Sequence, residues 1–222
     1  MQSPEPNARL STDKNLVVVT GFSRPAPDAI KDIQHVENFV GALTKEIRFA
    51  SQLIVLGCPQ ERAKQHPDDI IDFINSATSR PDTNQFVVGL SYGGFLALGR
   101  ECKRVKHGEE LSDIVLVDAP VNPNVEVAPP KDGRFDAFEY QYANRRGTAL
   151  RCMAVLNELP ESELERIYTI GTASDDIVPS EAKHLPNINH HELPSNITGH
   201  GLTPAKIQEV VRIMVERLRT CS

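Results

Sequence analysis

The sequence has 222 residues, 40% of them hydrophobic and 24% charged, with a formal net charge of −6. That length suits one domain with a sizeable core of its own, and the composition is that of a globular chain. Acids and bases are interspersed with no basic stripe, which excludes nucleic acid as an expected partner, and no stretch approaches the roughly 18 consecutive apolar residues of a membrane span.

Met1 to Asn15 is polar, carries two prolines and lacks an apolar core, so it does not read as a secretory signal. Residues 1–14 are expected to be a floppy tail, residues 15–222 one domain, and the compartment the cytoplasm. Asn15–Thr20 (NLVVVT) is a continuous apolar run ending at Gly21, the pattern of a parallel strand buried on both faces. A helix follows from about Ala29 to Phe49, its stripe set by Ile33, Val36, Val40, Leu43 and Ile47. Gln52–Leu56 is the second strand. Pro67–Ser76 is a helix with proline in its first turn and Asp68 and Asp69 where the helix dipole favours them.

Gln85–Leu90 (QFVVGL) is the third strand, and a helix runs from Tyr92 to about Val105. Asp113–Val117 is the fourth strand, Arg166–Ile170 the fifth and Asn187–Leu193 a weaker sixth. The last helix starts at Thr203-Pro204, with a stripe of Ile207, Val210, Val211, Met214 and Leu218. This alternation predicts a mostly parallel six-stranded sheet with helices on both faces. Residues 119–148 interrupt it. That segment is long, proline-rich and carries Phe135, Phe138, Tyr140 and Tyr142, which suggests a cap or lid.

Gly89-Leu90-Ser91-Tyr92-Gly93-Gly94 fits G-x-S-x-G. The pattern alone is weak, but here it follows directly on a buried strand and opens directly into a helix. A serine on so tight a turn needs neighbours without a Cβ, and Gly89 and Gly93 supply them. The turn also puts Ser91 at a helix N-terminus, where the backbone N–H of Tyr92 is free to face a developing oxyanion.

With Gly171-Thr-Ala-Ser-Asp175-Asp176-Ile-Val-Pro179 and Gly199-His200-Gly201-Leu202, the chain resembles the α/β-hydrolases, and among them the minimal six-stranded lipases and esterases. The resemblance runs from Asn15 to Leu218. It implies Ser91 as nucleophile, Asp175 as acid and His200 as base, in the family's chain order. Asp176 and Asp118 remain alternative acids. The resemblance also implies a second oxyanion donor after the first strand, the N–H of Phe22, although simple packing explains that residue equally well. Where many relatives have His-Gly, this chain has Thr20-Gly21.

The expected activity is ester hydrolysis through an acyl-enzyme, on a small-molecule ester or acyl substrate, with no cofactor. Two alternatives stay open: an acyl-thioesterase with the same residues, and a non-catalytic ligand-binding protein of the same fold. A nucleotide-binding domain is disfavoured, since neither GxGxxG nor a P-loop follows the first strand. The four cysteines (Cys58, Cys102, Cys152 and Cys221) form no metal-binding spacing and read as free thiols. His190 and His191 would point to opposite faces of a strand, so no metal is expected there.

Overall fold

The computed structural model describes residues 9–23, 28–78, 84–128, 133 and 136–220. In chain order the first elements are β1 (Leu10–Ser11), β2 (Asn15–Ser23), α1 (Asp28–Glu46), β3 (Ile47–Arg48), β4 (Ser51–Pro59) and α2 (Pro67–Thr78). Next come β5 (Gln85–Leu90), α3 (Tyr92–Lys106), β6 (Asp113–Val117) and α4 (Glu139–Leu156). The chain ends with α5 (Glu161–Leu164), β7 (Ile167–Gly171), β8 (Asn189–Glu192) and α6 (Pro204–Thr220).

Six strands form one sheet in the order β4-β2-β5-β6-β7-β8, and every pairing is parallel. The period of two sorts the side chains of each central strand to the two faces. Leu16 and Val18 of β2, Phe86, Val88 and Leu90 of β5, and Val115 and Val117 of β6 point one way, onto α1 and α6. Val17, Val19, Val87, Ile114 and Leu116 point the other way, onto α2, α3 and α4. Both faces are covered, which is why these strands read as unbroken apolar runs. No helix among the described residues is long and apolar enough to cross a membrane.

Two expectations need correction. Residues 9–14 are not free of structure: Leu10–Ser11 pairs in parallel with Ile47–Arg48, and the amide of Asn15 bonds to Asn84. The same pairing ends α1 at Glu46 rather than near Phe49, because Ile47 and Arg48 leave the helix to form β3. β4 is an edge strand, paired on one side only, and leaves Ile54 and Leu56 more than a third exposed.

Within residues 119–148 the structure starts the helix α4 at Glu139 and carries it on to Leu156. Its buried face is built of Gln141, Tyr142, Arg145, Thr148, Ala149, Cys152, Val155 and Leu156, and Gln141, Arg145 and Thr148 among them are polar. These polar groups bond inward. Gln141 donates to the carbonyl of Ala63, Arg145 to those of Pro120, Asn122 and Val125, and Thr148 to Asp68. α4 is thereby tied to the loop after β6 and to the start of α2. Phe135 and Cys221 lie outside the described residues.

Candidate active site

The residues singled out by the sequence gather at the C-terminal edge of the sheet. Ser91 sits between β5 and α3 with φ 55° and ψ −132°, a strained conformation held by bonds from its N–H to Val117 and from Gly94 N–H to its own carbonyl, both 2.8 Å. A Cβ on Gly89 would lie 2.3 Å from Gly94 Cα, and one on Gly93 would lie 2.3 Å from the carbonyl carbon of Thr20. The serine can stand on this turn only because both flanking positions lack side chains.

His200 reaches Ser91 from the loop between β8 and α6. Its Nε2 is 2.6 Å from Ser91 Oγ and its Nδ1 is 2.9 Å from Asp175 Oδ2. With the carboxylate at Nδ1, that nitrogen carries the proton and Nε2 accepts from the serine hydroxyl. The other oxygen of Asp175 accepts the amides of Ile177 and Val178 at 2.8 and 3.0 Å. Burial works to raise the Asp175 carboxyl, but its bond to His200, that ring's charge and the two amides outweigh it and hold the group well below the usual carboxylate range. Asp176 makes a separate contact, accepting the backbone N–H of His200 at 3.2 Å, and Gly199 N–H bonds to Ser174 at 2.9 Å. The acid loop and the histidine loop are therefore stitched together at three points.

Phe22 borders the opening above Ser91, and the Tyr92 side chain is buried behind it, its hydroxyl on Gln141. A Cβ on Gly21 would lie 3.1 Å from the nitrogen of Tyr92, so the end of β2 runs directly against the N-terminus of α3. The Phe22 ring stacks on Tyr92 (centroids 4.4 Å apart) and on Phe138 (4.1 Å). A cleft of about 330 Å³ opens above Ser91, its lining made largely of apolar residues such as Phe22, Ile33, Leu56 and Leu202, together with Asp32, His35 and Asp176. Cys58 lies near this edge, but burial pushes its thiol up to about 12, so it offers no competing nucleophile at neutral pH.

Solved structures share this architecture from end to end. The monoacylglycerol lipase of Paleococcus ferrophilus is 14% identical, with 97% of this chain and 98% of that one aligned and a TM-score of 0.55. Est1E from Butyrivibrio proteoclasticus, seen with ferulic acid bound, is 12% identical over 99% and 92%, TM-score 0.57. The RedJ thioesterase of the prodiginine pathway in Streptomyces coelicolor is 13% identical over 98% and 96%, TM-score 0.55. The chain has the α/β-hydrolase fold. No protein-family model and no curated protein sequence matches it.

Within this α/β-hydrolase fold Asp118, at the end of β6, borders the same cleft but bonds to groups other than the imidazole. It accepts Thr172 N–H at 2.7 Å and pairs with Lys206 Nζ at 2.9 Å. Lys183 Nζ lies 2.9 Å from Asp175 Oδ2 and 3.3 Å from Asp118 Oδ1. Asp118, Asp175 and His200 bring ligand-type atoms within 4.8 Å of one another, but the two ammonium groups already stand among them, and a metal ion would have to displace a buried cation. Neither lysine stands in a recognisable motif. Lys206 did carry a trace: it is four residues before Val210 and seven before Ile213, on the buried stripe of α6.

Behind these lysines His190 of β8 receives Thr169 Oγ1 at Nδ1, 2.7 Å, while its Nε2 is buried without a partner. Burial first, then the neighbouring His184, Lys183 and His191, push it down from 6.5 to about 4, against a smaller pull from Asp118. The unfolded chain thus binds this proton near pH 6.5 and the folded chain only near 4. Stability from this group is full above 6.5 and is lost as pH falls from 6.5 towards 4, by a few kcal/mol at most, roughly. His190→Gln keeps a partner for Thr169 and should flatten the decline of Tm between pH 6.5 and 4.5. Melting curves across that range test this, and an unchanged slope counts against it.

Proposed function

We propose that the chain is a serine hydrolase that cleaves carboxylic esters through an acyl-enzyme on Ser91. The observation that carries this reading is the unbroken series Ser91 Oγ, His200, Asp175, with contacts of 2.6 and 2.9 Å. His200 Nε2 takes the hydroxyl proton as Oγ attacks the ester carbonyl. The N–H groups of Tyr92, first in α3, and of Phe22 receive the oxyanion. His200 then protonates the leaving alcohol, which departs. In the second half it draws a proton from water, which attacks the acyl-enzyme and releases the acid. Asp175 keeps the ring in the tautomer that both halves need.

The walls of the cleft support an apolar acyl group of short to medium length. Residues 119–148 serve in this reading as a cap, since Phe138 leans on Phe22 and Tyr142 borders the cleft. The lipase, esterase and thioesterase among the structural neighbours are in keeping with acyl transfer from an ester-type carbonyl. The first test is a fluorophosphonate probe followed by peptide mass spectrometry. We expect one adduct, on Ser91, and none in Ser91→Ala. A non-catalytic protein of the same fold would take no label. Hydrolysis of p-nitrophenyl esters from acetate to palmitate, and of matched thioesters, then fixes the acyl length and leaving group.

A further inference from the structure

We propose that Lys183 is a positioning residue of this site, a buried cation that fixes the Asp175 carboxylate behind His200 and tempers its charge. The inference rests on the acyl-transfer reading of Ser91, His200 and Asp175.

Lysine is rarely buried unless it is paired, and Lys183 is 1% exposed. Its ammonium donates to the carbonyl of Thr172 at 2.6 Å and bridges two carboxylates, Asp175 Oδ2 and Asp118 Oδ1. Asp118 in turn binds Lys206, which is fully buried and donates to the carbonyl of Gly199, the residue before His200. Two aspartates and two lysines thus cancel in charge in a region closed to water. The chain Lys206, Asp118, Lys183, Asp175 ties the histidine loop to the acid loop from beneath.

The bridge has two consequences for Asp175. Its Oδ1 is held by two amides, and its Oδ2 is shared between His200 Nδ1 and Lys183 Nζ, both at 2.9 Å. All directions of rotation are opposed, so the carboxylate stays in line with the ring. The ammonium also stands against the same oxygen that steadies the imidazolium. Removing it makes the site easier to protonate. The charged and titratable groups around it are Asp175 and His200 from their loops, Asp118 after β6, His184 next in the chain, His190 on β8 and Lys206 on α6, with Tyr142 of α4 acting on Asp175. None of the others replaces the cation at Asp175 Oδ2.

The test compares the full-length chain with Lys183→Met and with Arg100→Met. Arg100 is equally buried and ion-paired with Glu101, but lies in α3 well down the chain from Ser91. The rate of fluorophosphonate labelling is measured from pH 4.5 to 9, with Tm in parallel. Both variants lose Tm, because each takes away one of the cations paired with a buried carboxylate. Only Lys183→Met should label more slowly, by about 10- to 100-fold at pH 7, with the acidic limb of its pH profile moved up by about one unit. If Lys183→Met does not fold, Lys183→Met/Asp118→Asn removes one charge of each sign and should still show the slower labelling. A wild type that takes no label overturns the acyl-transfer reading, and this proposal falls with it. A labelled wild type whose Lys183 variants match it in rate and in acidic limb overturns the proposal alone.

Discussion

Ser91→Ala is expected to lower kcat on a good ester by about 10⁶-fold, and Asp175→Asn by about 10⁴-fold, while Asp176→Asn stays within about tenfold of wild type. The ranking follows from contacts. Without Oγ there is no nucleophile, and what survives is the pull of the oxyanion donors on a bound ester. Asparagine at 175 keeps the shape but presents an amide to Nδ1. The ring then turns its proton to Nε2, the nitrogen that has to accept from Ser91 at 2.6 Å. Asp176 accepts the backbone N–H of His200 rather than its ring, so its loss loosens the loop and leaves the tautomer alone. Steady-state kinetics on the three variants settles the acid. If Asp175→Asn keeps activity within tenfold and Asp118→Asn loses it, Asp118 is the acid and the pairing described above is not the working one.

How much of this was legible in the sequence depends on where side chains carry the information. The strand Gln85–Leu90 and the helix from Tyr92 lie where the sequence places them, because every residue of that strand is buried and the glycines mark the turn. The central parallel strands follow from runs such as NLVVVT, which are apolar because helices cover both faces. α4 was invisible for the opposite reason. Its inward positions include Gln141 and Arg145, which serve backbone carbonyls, and Thr148, which bonds to Asp68, so the hydrophobic period of 3.6 residues is broken over its first half. β1 and β3 pair through two residues each, too short for any periodic pattern.

The site divides in the same way. Ser91, His200 and the two aspartates stand in local motifs, each next to glycine or at a loop of recognisable composition. The choice between Asp175 and Asp176 could not be made from adjacency, because neighbours in a loop differ only in where their side chains turn. The structure gives each its own partner, the ring for one and the amide for the other. Lys183, in the run Ser180-Glu181-Ala182-Lys183-His184, looks like an ordinary solvated lysine. Its role comes from Asp118, 65 positions earlier in the chain, and from Asp175, and neither contact has a counterpart in local sequence.

Alanine at Gly93 tests the packing that lets the serine turn exist. The added methyl would lie 2.3 Å from the carbonyl carbon of Thr20 and 2.4 Å from the carbonyl oxygens of Thr20 and Val19. These are backbone atoms of β2, the strand that pairs with both β4 and β5, and they cannot move without opening the sheet. The cost should exceed about 4 kcal/mol, a large share of the 5–15 kcal/mol that holds a typical domain together. At roughly 2–4 °C per kcal/mol for a chain of this size, Tm should fall by about 10 °C or more. Gly41→Ala is the matching control. That glycine lies inside α1 with nothing within 4 Å of the new methyl, and alanine there should raise stability by up to about 1 kcal/mol. Thermal melts of the two variants decide the matter. A Gly93→Ala protein that melts within 2–3 °C, roughly, of wild type would mean that α3 can retreat from β2, and the close approach at Ser91 would then be adjustable rather than imposed by the sheet.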